Sequence, residues 1–74
     1  DLTVYGKAGV LSILNAQHIA IDNVAIYALN GALIGSYDVN TTENVLIPTA
    51  INDNVVLVSV RSGAQVLTFK VALN

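Results

Sequence analysis

The strongest structural signal in the chain is the run Val24-Ala25-Ile26-Tyr27-Ala28-Leu29-Asn30-Gly31-Ala32-Leu33-Ile34. Apolar residues flank the Asn-Gly pair on both sides, which is a strong local signal for a β-hairpin. A two-residue type I′ turn needs positive φ at both central residues, and Asn and Gly tolerate this best. We therefore predict a hairpin with Asn30-Gly31 at its tip, between strands Val24 to Leu29 and Ala32 to Val39.

Apolar residues recur with a spacing of two in the rest of the chain, as in half-buried strands. The further predicted strands are Leu2 to Tyr5, Val10 to Leu14, Val45 to Ile47, Val55 to Arg61 and Gln65 to Leu73. Turn-forming residues separate them, and no segment has a helical period. The pattern predicts one all-β domain over residues 1–74, an antiparallel, immunoglobulin-like β-sandwich of six to seven short strands. The expected core residues are Leu11, Ile13, Ile26, Val56, Val58, Val60, Leu67, Phe69 and Val71.

The alternation changes phase once. Ile19 and Ile21 share one parity, whereas Val24 and Ile26 share the other. The change falls at Asp22-Asn23, two residue types that strands disfavour. One inserted residue moves every later side chain to the other face of a sheet, so we expect a β-bulge or a tight corner here.

Composition excludes several classes of protein. The chain has no cysteine, which rules out disulfides and thiolate metal sites. Its net charge is -2, and its three fixed cations, Lys7, Arg61 and Lys70, form no basic run, so we expect no nucleic-acid partner. The longest uncharged stretch, residues 23–37, is shorter than the roughly 20 apolar residues of a membrane-spanning helix. The chain begins at Asp1 without a signal-peptide pattern, and we expect it to be one piece of a larger secreted protein.

No catalytic constellation is evident. His18 is the only histidine, it follows the predicted turn Asn15-Ala16-Gln17, and the nearest carboxylate in sequence is Asp22. A catalytic or metal-binding histidine needs partners, so the pattern favours an exposed turn histidine. None of the serines stands in a nucleophile-elbow motif. We expect a protein that is not an enzyme, with no catalytic residues, no metal and no cofactor.

Two kinds of binding site were weighed against simpler interpretations. Asp38, Glu43 and Asp53, with the neighbouring asparagines, have the oxygen ligands that calcium prefers, but no calcium-loop spacing is present. Asp and Asn are also ordinary turn residues, which is the favoured interpretation. The aromatic residues are Tyr5, Tyr27, Tyr37 and Phe69. They are too scattered to form a sugar-stacking platform, so we expect them to pack in the core or on a sheet face.

Three stretches resemble a known family. Residues 24–34 are similar to the segment V-x-I-Y-x-L-x-G-x-L-V of the C-terminal sorting domains carried by cargo proteins of the type IX (Por) secretion system. Residues 54–60, followed by Gly63 and residues 69–73, resemble that family's ending, and residues 4–11 resemble its first hairpin. The chain departs from the family pattern at Asn54, Val56 and Asn74, where Gly, Tyr and a basic residue are usual.

The resemblance implies a non-catalytic seven-stranded sandwich that directs a larger cargo across the bacterial outer membrane. Its implied partners are the secretion and surface-attachment machinery proteins and the adjacent cargo domain of the same chain. Its implied location is the periplasm in transit, then the cell surface or the medium. The implied recognition residues are those of the final segment, Lys70, Val71, Ala72, Leu73 and Asn74.

Two other classes remain open. One is an accessory binding module of the carbohydrate or adhesin type, and the other is a structural spacer in a secreted multidomain protein. Position distinguishes them, because a sorting domain ends at or near the natural C-terminus.

Overall fold

The structure is a computed structural model that describes residues 2–73, and most of them lie in strands. The strands are β1 (Leu2–Lys7), β2 (Val10–Asn15), β3 (Ile21–Tyr27), β4 (Leu33–Thr41), β5 (Val45–Pro48), β6 (Val55–Ser62) and β7 (Gln65–Ala72). The described residues contain no helix. The all-β prediction is confirmed, and each predicted strand is present with its ends shifted by no more than three residues.

The strands form two antiparallel sheets that pack as a sandwich. Sheet A has the order β1-β2-β5, and sheet B has the order β4-β3-β6-β7. Hairpins connect β1 to β2, β3 to β4 and β6 to β7, so each of these pairs stays within one sheet. The other three connections cross between the sheets. The predicted antiparallel sandwich is confirmed.

The core lies between the two sheets, where period-two alternation places the apolar side chains. Seven of the nine predicted core residues are buried: Leu11, Ile13, Ile26, Val56, Val58, Val60 and Val71. The other two, Leu67 and Phe69, are half-buried on β7, because this strand lies at the edge of sheet B. Further buried residues are Ile21, Val24, Val45, Ile47 and Leu73.

The β3–β4 connection is a hairpin, as predicted, but its turn type is different. The Gly31 N–H donates to Ala28 O (2.9 Å), and the Ala28 N–H donates to Ala32 O (2.8 Å). φ is positive at Gly31 (91°) and not at Asn30. This pattern is that of a three-residue loop, Leu29 to Gly31, in which only the glycine needs positive φ. The predicted two-residue type I′ turn is therefore wrong.

A two-residue turn with positive φ at both positions occurs instead between β1 and β2. Lys7 pairs with Val10, and the intervening Ala8 and Gly9 have φ of 53° and 79°. The first strand was predicted to end at Tyr5, but Gly6 and Lys7 also belong to β1, so this turn has two residues.

The expected irregularity near Asp22-Asn23 is also present. Ile21 pairs with Thr41 and Asn23 pairs with Asp38, so one residue of β3 faces two residues of β4. The extra residue therefore lies on β4, where Asn40 has φ of 43°. The irregularity is therefore a β-bulge on β4, whereas the phase change in the sequence lies on β3, its partner strand.

Candidate recognition surface

The last strand alternates between the core and the surface. Val71 and Leu73 are each 3% exposed, whereas Lys70 and Ala72 are exposed. Asn74 lies outside the described residues. Within residues 70–73, the described part of the predicted recognition segment, Lys70 and Ala72 are thus the residues whose side chains a partner can reach. Recognition of this segment stays a prediction.

The end of β7 is held from both sides. The Leu73 N–H donates to Asn54 O (2.8 Å), which continues the pairing with β6 by one residue. On the other side, β1 approaches at Gly6, where an ideal Cβ atom would lie 2.9 Å from Ala72 O and 2.8 Å from Leu73 Cα. The glycine permits this close approach because it has no Cβ. The predicted recognition segment therefore has a fixed backbone over its described part.

Lys70 stands at the end of an apolar row on the outer face of sheet B. Cross-strand pairs place Lys70 opposite Leu57, Leu57 opposite Tyr27, and Tyr27 opposite Leu33. Tyr27 and Leu57 are half-buried, and Leu33 is 59% exposed. Neither of the ion pairs among the described residues involves Lys70. The ammonium group therefore borders an apolar strip on the outer face of sheet B.

A second apolar surface covers the outer face of sheet A. Tyr5 pairs with Ser12, and Ser12 pairs with Leu46, so these three side chains share one row. Tyr5 and Leu46 are exposed, as is Leu14 two residues along β2, while Ser12 is only 6% exposed. The small side chain of Ser12 thus forms the floor of a depression between larger apolar neighbours. This surface was not predicted from the sequence, although its residues alternate with the core positions Leu11, Ile13, Val45 and Ile47.

At one end of the sandwich, Asn15 joins two connections. Its Nδ2 donates to Ile19 O (2.9 Å) and Thr42 O (3.2 Å), and its Oδ1 accepts the Ile19 N–H (3.0 Å). The Asn15 N–H donates to Asn44 Oδ1 (2.8 Å). Asn15 is 1% exposed. Its side-chain hydrogen bonds replace the bonds to water that the backbone groups of the two loops lose when they are buried. Asn15 was predicted as a turn residue and is instead the buried last residue of β2.

His18 is exposed, as predicted, and contacts the same connection. Its Nδ1 lies 3.0 Å from Thr42 O and 3.8 Å from Glu43 Oε2. Since a carbonyl oxygen only accepts, the Nδ1–H tautomer donates to it. Asp22, the nearest carboxylate in sequence, points elsewhere, and its Oδ2 accepts the Gly63 N–H (2.7 Å). The histidine therefore ties two loops together.

The oxygen-bearing candidate calcium ligands have different neighbours in the structure. Asp38 accepts a bond from Asn23 on the face of sheet B, and Glu43 lies beside His18. Asp53 follows β5, whereas Glu43 precedes it, so the two stand at opposite ends of this strand. Within residues 2–73, no group of three or more histidine, aspartate or glutamate side chains is placed to hold a metal ion.

An open groove of about 410 Å³ lies where the β2–β3 connection meets the end of β4. Its lining residues are Ala20, Ile21, Asp22, Asn40, Thr41 and Thr42. The Asp22 carboxylate is engaged by the Gly63 N–H and by Arg61 Nη1 at 3.4 Å. Asp22, the one charged residue among those that line the groove, is therefore already paired within the protein.

Comparison with known proteins adds no identification. The chain matches no protein-family model, no curated protein and no solved structure. Among the described residues, no helix is long and apolar enough to span a membrane. The fold and surfaces define the class as a small antiparallel β-sandwich domain with two exposed apolar faces.

Proposed function

We propose that this chain is a non-catalytic C-terminal sorting domain that directs a larger cargo protein across the bacterial outer membrane through the type IX secretion system. Its partners are the secretion and surface-attachment machinery proteins, and the cargo domain precedes it in the same chain. The protein passes through the periplasm and ends at the cell surface or in the medium.

The observation that carries the proposal is the anchored final strand. Val71 and Leu73 fix it in the core, and the Leu73 N–H bond to Asn54 O holds its end against β6. Lys70 and Ala72 are displayed beside it. A sorting signal read by a receptor needs such a rigid surface at the end of the domain, because less ordering entropy is then lost on binding.

The three stretches that resemble the family also support the proposal. They coincide with the three hairpins: residues 4–11 span β1–β2, residues 24–34 span β3–β4, and residues 54–73 span β6–β7. Each stretch that resembles the family thus falls on one hairpin of the sandwich, and none lies only in a loop.

The test is a fusion to the C-terminus of a passive reporter that carries an export signal, expressed in a bacterium with an active type IX system. We expect the reporter at the cell surface or in the medium. Deletion of residues 65–74 should abolish this, because it removes β7 and the predicted recognition residues together. If the intact fusion stays folded in the periplasm, the proposal is wrong, and an accessory binding module or structural spacer takes its place.

A matched pair of substitutions separates recognition from folding. Lys70→Ala removes an exposed cation next to the apolar strip, whereas Lys7→Ala removes an exposed cation from sheet A. Exposed charges contribute little to stability, so both variants should fold normally. Surface export should fall only with Lys70→Ala, and equal export of the two variants would contradict a role for Lys70.

The exposed face of sheet A favours the second candidate, an accessory module that binds another protein. Tyr5, Leu14 and Leu46 are exposed together, and such contiguous apolar surfaces often mark protein contacts. Within the described strands of sheet A, Tyr5 is the only aromatic residue, which favours a protein partner over a stacked sugar. Substituting Leu46→Asp in the exported reporter fusion tests this, since a sorting signal on β7 should not respond to it.

A further inference from the structure

The end of β4 carries an acceptor motif for asparagine-linked glycans. Asn40-Thr41-Thr42 fits the pattern Asn-x-Ser/Thr, and no other asparagine in the sequence does. Asp38 stands two residues before Asn40. Bacterial oligosaccharyltransferases select acceptor asparagines that have an acidic residue at this position, so the five residues 38–42 form the extended bacterial version of the motif.

The fold displays this motif at an exposed edge. Asn40 is the extra residue of the β4 bulge, it is exposed, and it has no paired residue on β3. Because β4 is an edge strand of sheet B, no strand lies on its other side. φ at Asn40 is 43°, which turns the chain out of the extended conformation. The acceptor amide therefore stands outside the hydrogen-bonded ladder.

The surroundings of Asn40 leave its amide accessible. The connection between β4 and β5 is held by side-chain hydrogen bonds of Asn15 and His18, which donate to carbonyl oxygens, and of Thr41, whose Oγ1 accepts the Glu43 N–H. The Asn40 side chain takes part in none of these bonds. Thr42 is exposed, and the bonds from Asn15 and His18 use its carbonyl oxygen. The open groove that Asn40 lines provides space beside the amide. The two side chains of the motif are thus both presented to solvent.

We propose that Asn40 is a glycosylation site that is modified when the chain reaches the periplasm. The Asn40 Nδ2 attacks the anomeric carbon of a sugar carried on a lipid-linked diphosphate. A carbon–nitrogen bond forms, the carbon–oxygen bond to the diphosphate breaks, and the lipid diphosphate leaves with that electron pair. The amide nitrogen gives up one proton to a base of the transferring enzyme.

The position of this site is compatible with sorting. β4 and β7 are the opposite edges of sheet B, so a glycan on Asn40 is remote from Lys70 and Ala72. A bulky hydrophilic group at the β4 edge would also block edge-to-edge association with another strand, which exposed edges otherwise invite. The proposal rests on the export that the proposed function requires.

The experiment supplies that export independently. The chain, behind a cleavable signal peptide, is expressed in the periplasm of a bacterium that carries an oligosaccharyltransferase and its lipid-linked oligosaccharide, together with a known acceptor protein as positive control. We expect an intact mass raised by one glycan, located on the tryptic peptide 8–61. Because no type IX system is needed, failure here does not bear on sorting, and failed sorting does not bear on the modification.

Matched variants assign the site. Asn40→Gln and Thr42→Val should each abolish the mass increase, whereas Thr42→Ser and Asn44→Gln should retain it. Asp38→Asn should lower it with a bacterial enzyme. Circular dichroism checks that every variant is folded. Persistence of the increase in Asn40→Gln, or an unmodified folded wild-type chain beside a modified acceptor control, would overturn the proposal.

Discussion

Gly6 on β1 lies against the backbone of Leu73, so that a Cβ atom on Gly6 would stand 2.8 Å from the Leu73 Cα atom. This contact joins the first strand of sheet A to the end of the last strand of sheet B. The approach is close because Gly6 has no side chain, and the nearest atoms of β7 and its end are Leu73 Cα, Ala72 O and, at 3.0 Å from the Cβ position, Leu73 Cδ2. The consequence is that a single methyl group at residue 6 should force the two sheets apart.

Gly6→Ala should therefore destabilise the protein. Overpacking against rigid backbone costs about 1–3 kcal/mol. The matched control is Gly35→Ala, whose Cβ would lie 3.0 Å from Tyr37 Oη and 3.1 Å from Tyr37 Cε1. Its cost should be smaller, because the Tyr37 side chain can rotate away. Urea unfolding followed by circular dichroism measures both, and equal losses in the two variants would contradict the close backbone approach.

Ala8→Asn should stabilise the protein. Ala8 has φ of 53° in the two-residue β1–β2 turn, a conformation that asparagine adopts at lower cost than alanine. We expect a gain of about 0.5–1 kcal/mol, since the left-handed conformation costs an ordinary residue about 1–2 kcal/mol. Ala64→Asn is the control, because φ is positive at Gly63 but not at Ala64 in its turn. No difference between the variants in thermal unfolding would argue against the assigned turn.

Gly31→Val should cost more than about 1 kcal/mol, because φ at Gly31 is 91° and a β-branched residue is strained there. The loss should come from backbone strain alone, since no atom lies within 4 Å of the added Cβ position. Asn30→Gly, by contrast, should bring no gain, as φ at Asn30 is not positive. If Asn30→Gly stabilised the protein, φ at residue 30 would be positive, as in a two-residue type I′ turn, and the three-residue loop would be wrong.

Asn15→Ala should cost about 2 kcal/mol or more. The change removes bonds to both the N–H and the carbonyl oxygen of Ile19, and unsatisfied buried groups cost about 1–3 kcal/mol each. Asn44→Ala removes one acceptor at an exposed side chain, so its loss should be smaller. Chemical denaturation gives the two values, and hydrogen exchange of the Ile19 amide should rise only with Asn15→Ala. If Asn44→Ala lowered the free energy of unfolding as much as Asn15→Ala or more, the Asn15 side chain would not be what holds the two connections together.

Much of the architecture could be predicted because strands have a local signature. Side chains alternate with period two, so Val56, Val58 and Val60 had to share a face, and that face had to be buried. The phase change between Ile21 and Val24 marked where the pairing of β3 with β4 is irregular, although the inserted residue itself lies on β4. The glycine at position 31 likewise marked a turn. Each of these signals lies within a few residues of the feature that it predicts.

The candidate surfaces could be predicted only in part. The alternation over residues 70–73 placed Lys70 and Ala72 outside and Val71 and Leu73 inside, as the structure has them. The Leu57 and Tyr27 neighbours of Lys70 follow from strand order and register, which no local pattern in β7 contains. The same is true of the Tyr5, Ser12 and Leu46 row, since β5 lies far along the chain from β1.

Local chemistry thus set the number of strands, their inward faces and the positions of the hairpins, because alternation and turn residues act within one segment. Tertiary structure set the strand that carries the extra residue, and the burial of Asn15. It did so because these features depend on contacts between residues distant in sequence, such as Asn15 with Thr42 and Gly6 with Leu73. Gly6 illustrates the difference: its sequence context indicates a turn, yet it pairs with Leu11 within β1 and lies against Leu73 at the end of the other sheet.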